Sequence, residues 1–162
     1  MIEIETERLT LKKLGIADKE RLIELIGDFR VAETLSNVPH PYTDNDAEYW
    51  LNSVSSSELK LNIFLNSVLI GGVGLEPDDD GYCELGYWLG FEYWGKGFAT
   101  EACYALLNYK KNTSCKNFKA NVYKGNTAST NVLEKVGFKQ TGEGEFFSLS
   151  KQENISCLTY AY

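Results

Sequence analysis

Between Trp94 and Ala102 the chain reads W-G-K-G-F-A-T-E-A, a glycine-rich turn that runs straight into an amphipathic helix. Gly95 and Gly97 let the backbone approach a ligand without interference from a Cβ atom. The helix start that follows offers unpaired N–H groups and the positive end of its dipole. Such a junction is an anion cradle, and a phosphorylated cofactor is its natural guest. The contacts are expected from the main chain of Trp94, Gly95, Lys96, Gly97, Phe98, Ala99 and Thr100. The Lys96 ammonium stands ready either to neutralise phosphate charge or simply to sit in water.

Just upstream, Gly81 to Gly90 reads G-Y-C-E-L-G-Y-W-L-G, aromatic and apolar enough for a strand. Alternation puts Tyr82, Glu84, Gly86 and Trp88 on one face and Cys83, Leu85, Tyr87 and Leu89 on the other. Glu84 is a carboxylate among residues that suit a core, where a charge is costly unless it is used. An acid or base candidate therefore lies one strand length from the cradle.

The remaining chain alternates helical and extended patterns without a linker, a repeat or a low-complexity block. Arg8 to Lys13 alternates as a first strand, and Leu22, Leu25, Ile26 and Phe29 mark one face of a helix. Val31 to Tyr42, with Pro39 and Pro41, reads as a loop. Thr43 to Asp46 forms a capping box before a helix whose buried face would be Ala47, Trp50, Leu51 and Val54. Leu59 to Leu65 and Ser67 to Glu76 are strands, and Pro77 to Gly81 is a turn.

After the glycine turn, Ala99, Ala102, Cys103, Leu106 and Leu107 define a helix face, followed by a strand from Phe118 to Tyr123. Asn126 can cap a helix with Ala128, Val132, Leu133 and Val136 inward and Gly137 just past its end. Phe138 to Leu149 and Ile155 to Tyr162 supply the last strands. The expected fold is α/β (α+β), with a mainly antiparallel sheet of about seven strands flanked by about four helices. The 162 residues, 43% of them hydrophobic, suit one domain spanning 1–162 with a single sizeable core.

A net charge of -7 leaves no basic patch for a nucleic-acid backbone and suits a cationic substrate such as an amine, though acidity also serves solubility. No apolar run approaches the ~18 residues that would span a bilayer. The four cysteines, Cys83, Cys103, Cys115 and Cys157, show neither C-x-x-C nor paired Cys/His spacing. That argues against a disulfide or zinc framework and for a reduced, cytoplasmic protein. None of them has a base placed to activate it as a nucleophile. The lone histidine, His40, between two prolines, reads as a loop bystander.

Taken in order, five blocks resemble one family. They are Glu7-Arg8-Leu9-Thr10-Leu11; Ile70 to Leu75; Glu84-Leu85-Gly86-Tyr87-Trp88-Leu89; Tyr93 to Ala102; and Asn126-Thr-Ala-Ser129 with Val132 to Phe138. Together they are similar to the GNAT superfamily of acyl-CoA-dependent N-acyltransferases, particularly the branch of ribosomal-protein N-terminal acetyltransferases and their small-molecule relatives. The pattern departs at Glu92, where relatives usually carry Gln or Arg, and at Asn131, where they often carry a basic residue. Lys110 to Asn117 matches poorly.

The resemblance implies that two central strands splay apart to admit acetyl-CoA. The amides of residues 94–100 would hold its pyrophosphate, and a strand N–H near Tyr87, Trp88 or Leu89 would face the thioester. It implies that Asn126 contacts the pantetheine arm and that Ser129 lies near the sulfur as a possible acid, although both residues suit plain helix capping. Tyr123 is an alternative donor. No metal is implied, and a monomer or a homodimer would both be ordinary.

Acyl transfer to an amine needs a base, because amines with pKa values of about 8 to 10.4 are protonated at neutral pH. Glu84 is the candidate, acting directly or through water, with a structural strand carboxylate as the plain alternative. The expected protein is an acetyl-CoA-dependent N-acetyltransferase whose partners are acetyl-CoA and an amine. A non-catalytic acyl-CoA-binding or sensing module would keep the same cradle but would not need Glu84. A nucleotide-binding protein is disfavoured by the lack of G-x-x-x-x-G-K-[ST] or a strand-linked G-x-G-x-x-G.

Overall fold

The computed structural model describes residues 2–111 and 115–162. In chain order the elements are β1 (Ile4–Glu5), β2 (Leu9–Lys12), α1 (Lys19–Ile26), α2 (Phe29–Ala32), α3 (Asp44–Ser56), β3 (Lys60–Leu65), β4 (Val68–Pro77), β5 (Tyr82–Leu89), α4 (Phe98–Lys111), β6 (Asn117–Tyr123), α5 (Thr127–Val136), β7 (Lys139–Ser148) and β8 (Glu153–Ala161). The strands form one eight-stranded sheet in the order β1-β2-β3-β4-β5-β6-β8-β7. Every neighbouring pair is antiparallel except β5 and β6, which run parallel. The class matches the sequence reading. The surplus over that reading is the two-residue β1 and the four-residue α2, each too short to display a hydrophobic period.

Helices cover both faces. Leu22, Leu25, Ile26, Val31, Ala32 and Ala47 pack with Phe64, Leu69 and Trp88 on one side of the sheet. On the other side Ala102, Cys103, Leu106 and Leu107 of α4, with Leu133 and Val136 of α5, pack on Leu11, Ile63, Leu75, Leu85, Phe118 and Tyr160. The strand alternation read from the sequence is what divides β5 between these layers: Leu85 faces α4, and Trp88 faces α1 and α2.

Local chemistry fixes the helix ends. Thr43 accepts from the Asp46 N–H while the Asp46 carboxylate accepts from the Thr43 N–H at 2.7 Å, the reciprocal capping box expected. Gly137, at φ 109°, ends α5 in the left-handed conformation. Several inward assignments change. Phe29 is exposed because Gly27 and Asp28 end α1 and re-start the chain as α2, with Asp28 accepting from the Arg30 N–H. Trp50 and Leu51 are only half-buried, and Ala128 is exposed in the first turn of α5.

The cysteine expectation is also corrected. Cys83 and Cys115 form a disulfide with their Cα atoms 6.3 Å apart. Parallel β5 and β6 begin side by side, so two residues 32 positions apart in the chain meet at one end of the sheet, which spacing alone cannot reveal. Cys103 and Cys157 are free and buried. Part of the poorly matching Lys110 to Asn117 stretch lies outside the described residues. Among the described residues no helix is long and apolar enough to cross a membrane.

Candidate active site

The parallel pairing of β5 with β6 stops after Tyr82↔Asn117, Cys83↔Phe118 and Glu84↔Lys119, whereas β5 stays paired with β4 as far as Gly71↔Leu89. Beyond Glu84 the two central strands diverge. The Gly90 N–H donates to the Ile70 C=O at 2.9 Å, which sets the parity of the β4–β5 ladder. Glu84, Gly86 and Trp88 therefore turn their main-chain groups towards β4, and Leu85, Tyr87 and Leu89 turn theirs the other way. Past the last β6 rung, the peptide groups of Tyr87 and Leu89 face the opening. The sequence reading named Tyr87, Trp88 and Leu89 together, and the register separates them. The Trp88 main chain is committed to Gly72, and its side chain is buried in the α1–α2 layer.

The glycine turn lies at the end of this opening. Gly95 and Gly97 have φ values of 72° and 81°, the left-handed region in which a side chain is strained. No atom lies within 4 Å of where a Gly95 Cβ would stand, so the turn presents bare backbone. The first helical bond of α4 runs from the Glu101 N–H to the Gly97 C=O at 3.1 Å. The amides of Phe98, Ala99 and Thr100 thus precede the helical ladder and point out of the helix start. The turn is held from several sides. The Trp94 indole N–H donates to the Leu89 C=O at 2.8 Å, the Lys96 ammonium donates to the Glu92 C=O at 2.8 Å, and Arg21 donates to the Glu92 carboxylate and the Tyr93 hydroxyl, each at 2.8 Å. Glu92, the departure from the family pattern, is therefore an anchor of the turn. Lys96 is folded back on that turn rather than extended.

Glu84 sits at the last parallel rung, half-buried, with Oε1 accepting from the Asn121 amide at 3.1 Å. Asn121 was not singled out by the sequence. It occupies the same face of β6 as Tyr123, two residues on, and holds the carboxylate at the mouth of the opening. Across that mouth, the Tyr123 hydroxyl accepts from the Lys151 ammonium at 2.8 Å. The segment joining β7 to β8 is fastened to the α2 region: the Leu149 N–H donates to the Ser36 C=O at 3.0 Å, the Ser150 hydroxyl to the Ala32 C=O at 3.1 Å, and Lys151 pairs with Glu33 at 3.5 Å. The hydroxyl of Tyr123 and the β7–β8 segment thereby wall the side opposite the glycine turn.

From the α4–α5 layer, Asn126 caps α5 by accepting from the Ser129 N–H at 3.2 Å, so the plain capping role of Asn126 is realised. Ser129 Oγ lies 2.5 Å from the Tyr87 hydroxyl, and that hydroxyl also donates to the Ser129 C=O at 3.1 Å. Tyr87 thus links the strand bordering the opening to the start of α5. Burial, with a smaller contribution from the neighbouring Cys103, pushes the Tyr87 hydroxyl well above its usual value, and it stays protonated at any physiological pH. His40 lies apart, its ring 5.0 Å from that of Phe29.

A second group escaped the sequence reading, the cluster of Thr6, Arg8 and Glu101. Glu101 lies in the first turn of α4 and accepts from the Thr6 hydroxyl at 2.6 Å, the Arg8 N–H at 2.8 Å and the Arg8 Nε at 2.7 Å. Burial works to raise its pKa, but these bonds together bring it below the usual carboxylate value. The separation of 93 positions between Arg8 and Glu101 hid the pair, although each stands inside a block that resembles the family.

An antiparallel sheet that splays at one parallel pair, with an anion cradle at the end of the gap and a carboxylate at its mouth, defines an acyl-CoA-dependent acyltransferase class of site. Comparison with known proteins gives the same class. The family described as an acetyltransferase (GNAT) domain matches residues 8–139, and the chain belongs to that family. It is 29% identical over 153 residues to the uncharacterized N-acetyltransferase p20 of Bacillus licheniformis, covering 88% of this chain and 85% of the relative. Its fold matches the crystal structure of a GNAT-family acetyltransferase from Bacillus anthracis with a TM-score of 0.85 at 24% identity, over 99% and 98% of the two chains. It also matches RimL, the ribosomal L7/L12 alpha-N-protein acetyltransferase, in complex with coenzyme A, with a TM-score of 0.82 at 17% identity, over 99% and 97%.

Proposed function

We propose that the protein transfers an acetyl group from acetyl-CoA to a primary amine by direct attack in a ternary complex. The observation that carries this reading is the gap between β5 and β6, bounded by the bare turn at Gly95 and Gly97 and by the carboxylate of Glu84. The pyrophosphate of acetyl-CoA lies against the amides of Gly97, Phe98, Ala99 and Thr100, with Trp94, Gly95 and Lys96 completing the turn. The pantetheine arm follows the peptide group of Tyr87 and the N–H of Leu89, whose C=O is taken by the Trp94 indole, with Asn126 at the edge of the gap. The donor fits because the strand edge and the helix start supply main-chain donors that the fold itself does not consume.

The amine reaches the thioester from the Glu84 side. Glu84, held by Asn121, accepts the ammonium proton directly or through water. The freed nitrogen attacks the acetyl carbonyl carbon, the C–N bond forms, and the C–S bond breaks. A main-chain N–H of the open β5 edge faces the carbonyl oxygen as charge develops there. The nitrogen sheds its second proton and the departing sulfur takes one; in this reading Ser129, hydrogen-bonded to the Tyr87 hydroxyl, gives the sulfur its proton and regains one from that released by the nitrogen through water.

The test is a panel of peptide N-termini, polyamines, amino acids and aminoglycosides assayed with acetyl-CoA by thiol release, using wild type and Glu84→Gln. The expected result is transfer to at least one amine by wild type and a fall of about 10²–10⁴-fold in Glu84→Gln at neutral pH. The deficit narrows as the pH rises towards the pKa of the acceptor, about 8 to 10.4, because the amine then loses its proton without help. Equal rates at neutral pH would leave Glu84 a structural carboxylate. Binding of acetyl-CoA without transfer to any amine would favour a sensing module.

A further inference from the structure

We propose that Arg8 is a positioning residue that shapes the cradle and sets its preference for pyrophosphate-bearing acyl donors, a role that rests on the reading above. The turn at Gly95–Gly97 can bind an anion only if its carbonyl oxygens point elsewhere. The Gly97 C=O is used by the Glu101 N–H, and the Lys96 C=O is used by Arg8 Nη1 at 2.9 Å. Arg8 is thus what turns the second carbonyl of the turn away from the bound phosphate. Its guanidinium is itself fixed: Nε donates to Glu101 at 2.7 Å, the group lies over the Phe98 ring at 4.5 Å, and Nη2 comes within 3.3 Å of where a Gly97 Cβ would stand.

Arg8 also answers an electrostatic problem. A carboxylate in the first turn of α4 suits the helix dipole but repels a diphosphate at the same helix start. Glu101 is drawn back against the chain just before β2 by the Thr6 hydroxyl and by two groups of Arg8. Its charge is matched by the guanidinium, which leaves the N–H groups as the field the donor meets. The side chain of Arg8 remains 42% exposed against 17% for Glu101, so the arginine lies on the outer side of the pair. A lysine could not take its place, because a single ammonium cannot hold the fork between Glu101 and the Lys96 carbonyl.

The experiment compares wild type, Arg8→Met and Arg8→Lys, with coenzyme A binding followed by calorimetry and transfer followed by thiol release from two donors, acetyl-CoA and S-acetylpantetheine. The second donor has the thioester and the pantetheine arm but no pyrophosphate. Arg8→Met is expected to weaken coenzyme A binding about tenfold, the worth of one hydrogen bond to a charged group. Its KM for acetyl-CoA should rise by about that factor more than its KM for S-acetylpantetheine. Arg8→Lys, which keeps the charge and guards against a failure of Arg8→Met to fold, is expected to show the larger part of the same donor-dependent loss. Undiminished coenzyme A affinity in either folded variant overturns the proposal, and so does an equal loss with both donors, which is what general disruption of the fold would give. Wild type that binds coenzyme A but acetylates no amine would sink the functional reading, and the binding comparison would still decide the role of Arg8.

Discussion

Replacing Gly97 with valine separates a turn that binds from a turn that merely bends. At φ 81° any side chain is strained, by about 1–2 kcal/mol for an ordinary residue and more for a β-branched one. The new Cβ would also stand 3.3 Å from Arg8 Nη2, which must shift by a few tenths of an ångström. Against a total stability of about 5–15 kcal/mol this leaves the variant folded. It then has two courses. If the turn keeps its conformation, the valine methyls stand where phosphate oxygens would approach. If it relaxes to negative φ, the peptide planes on either side of residue 97 rotate and at least one amide leaves the cradle.

A hydrogen bond to a charged group contributes about 1.5–3 kcal/mol, so losing one weakens binding about 10- to 150-fold. Gly95→Ala is the milder comparison, because no atom lies within 4 Å of the added methyl and only the φ 72° strain remains. Calorimetric titration with acetyl-CoA, alongside thermal melts to show that both variants are folded, reads the difference. Unaltered affinity in folded Gly97→Val would refute the assignment of the cradle.

Ser129→Ala is expected to lower turnover about 10- to 10³-fold with little change in acetyl-CoA affinity, because the Asn126 cap bond uses the Ser129 main chain and survives the change. Wild-type turnover in that variant would reduce Ser129 to its place in α5. Gly72→Ala probes the core beside the site: a methyl there would meet the Trp88 indole nitrogen at 2.5 Å and two further ring atoms at 3.2 and 3.3 Å. Overpacking of this kind costs about 1–3 kcal/mol, which for a domain of this size lowers the melting temperature by about 2–12 °C. An unchanged melt would show that Trp88 has room to move.

The features legible in the sequence were those written in contiguous residues. The capping box at Thr43, the Asn126 and Gly137 ends of α5, and the two faces of β5 follow from local chemistry and period. The glycine turn and Glu84 were legible for the same reason. Distant pairings were not. Cys83 meets Cys115 only because β5 and β6 run parallel, and Arg8 meets Glu101 only because β2 passes the start of α4. Which of Tyr87, Trp88 and Leu89 turns its peptide groups into the gap depends on the pairing with β4, so alternation gave the side chains but not the main chain. Phe29 misled because its spacing continues the α1 stripe through Gly27 and Asp28, where the helix breaks.

Three rungs and one disulfide join the β1–β5 half of the sheet to the β6–β8 half at one end, and the contacts of the β7–β8 segment with the α2 region join them at the other. Between those two seams β5 and β6 are unpaired. On the proposed reading a donor lying there would supply main-chain contacts that β6 does not, and its binding would add to the cohesion of the domain. At a hundredfold excess over its dissociation constant such a ligand adds about 2.7 kcal/mol to the folded state. Those contacts outlast the chemistry on this reading, because the pantetheine arm and pyrophosphate stay with coenzyme A when the C–S bond breaks, and the added cohesion is lost only when the thiol leaves.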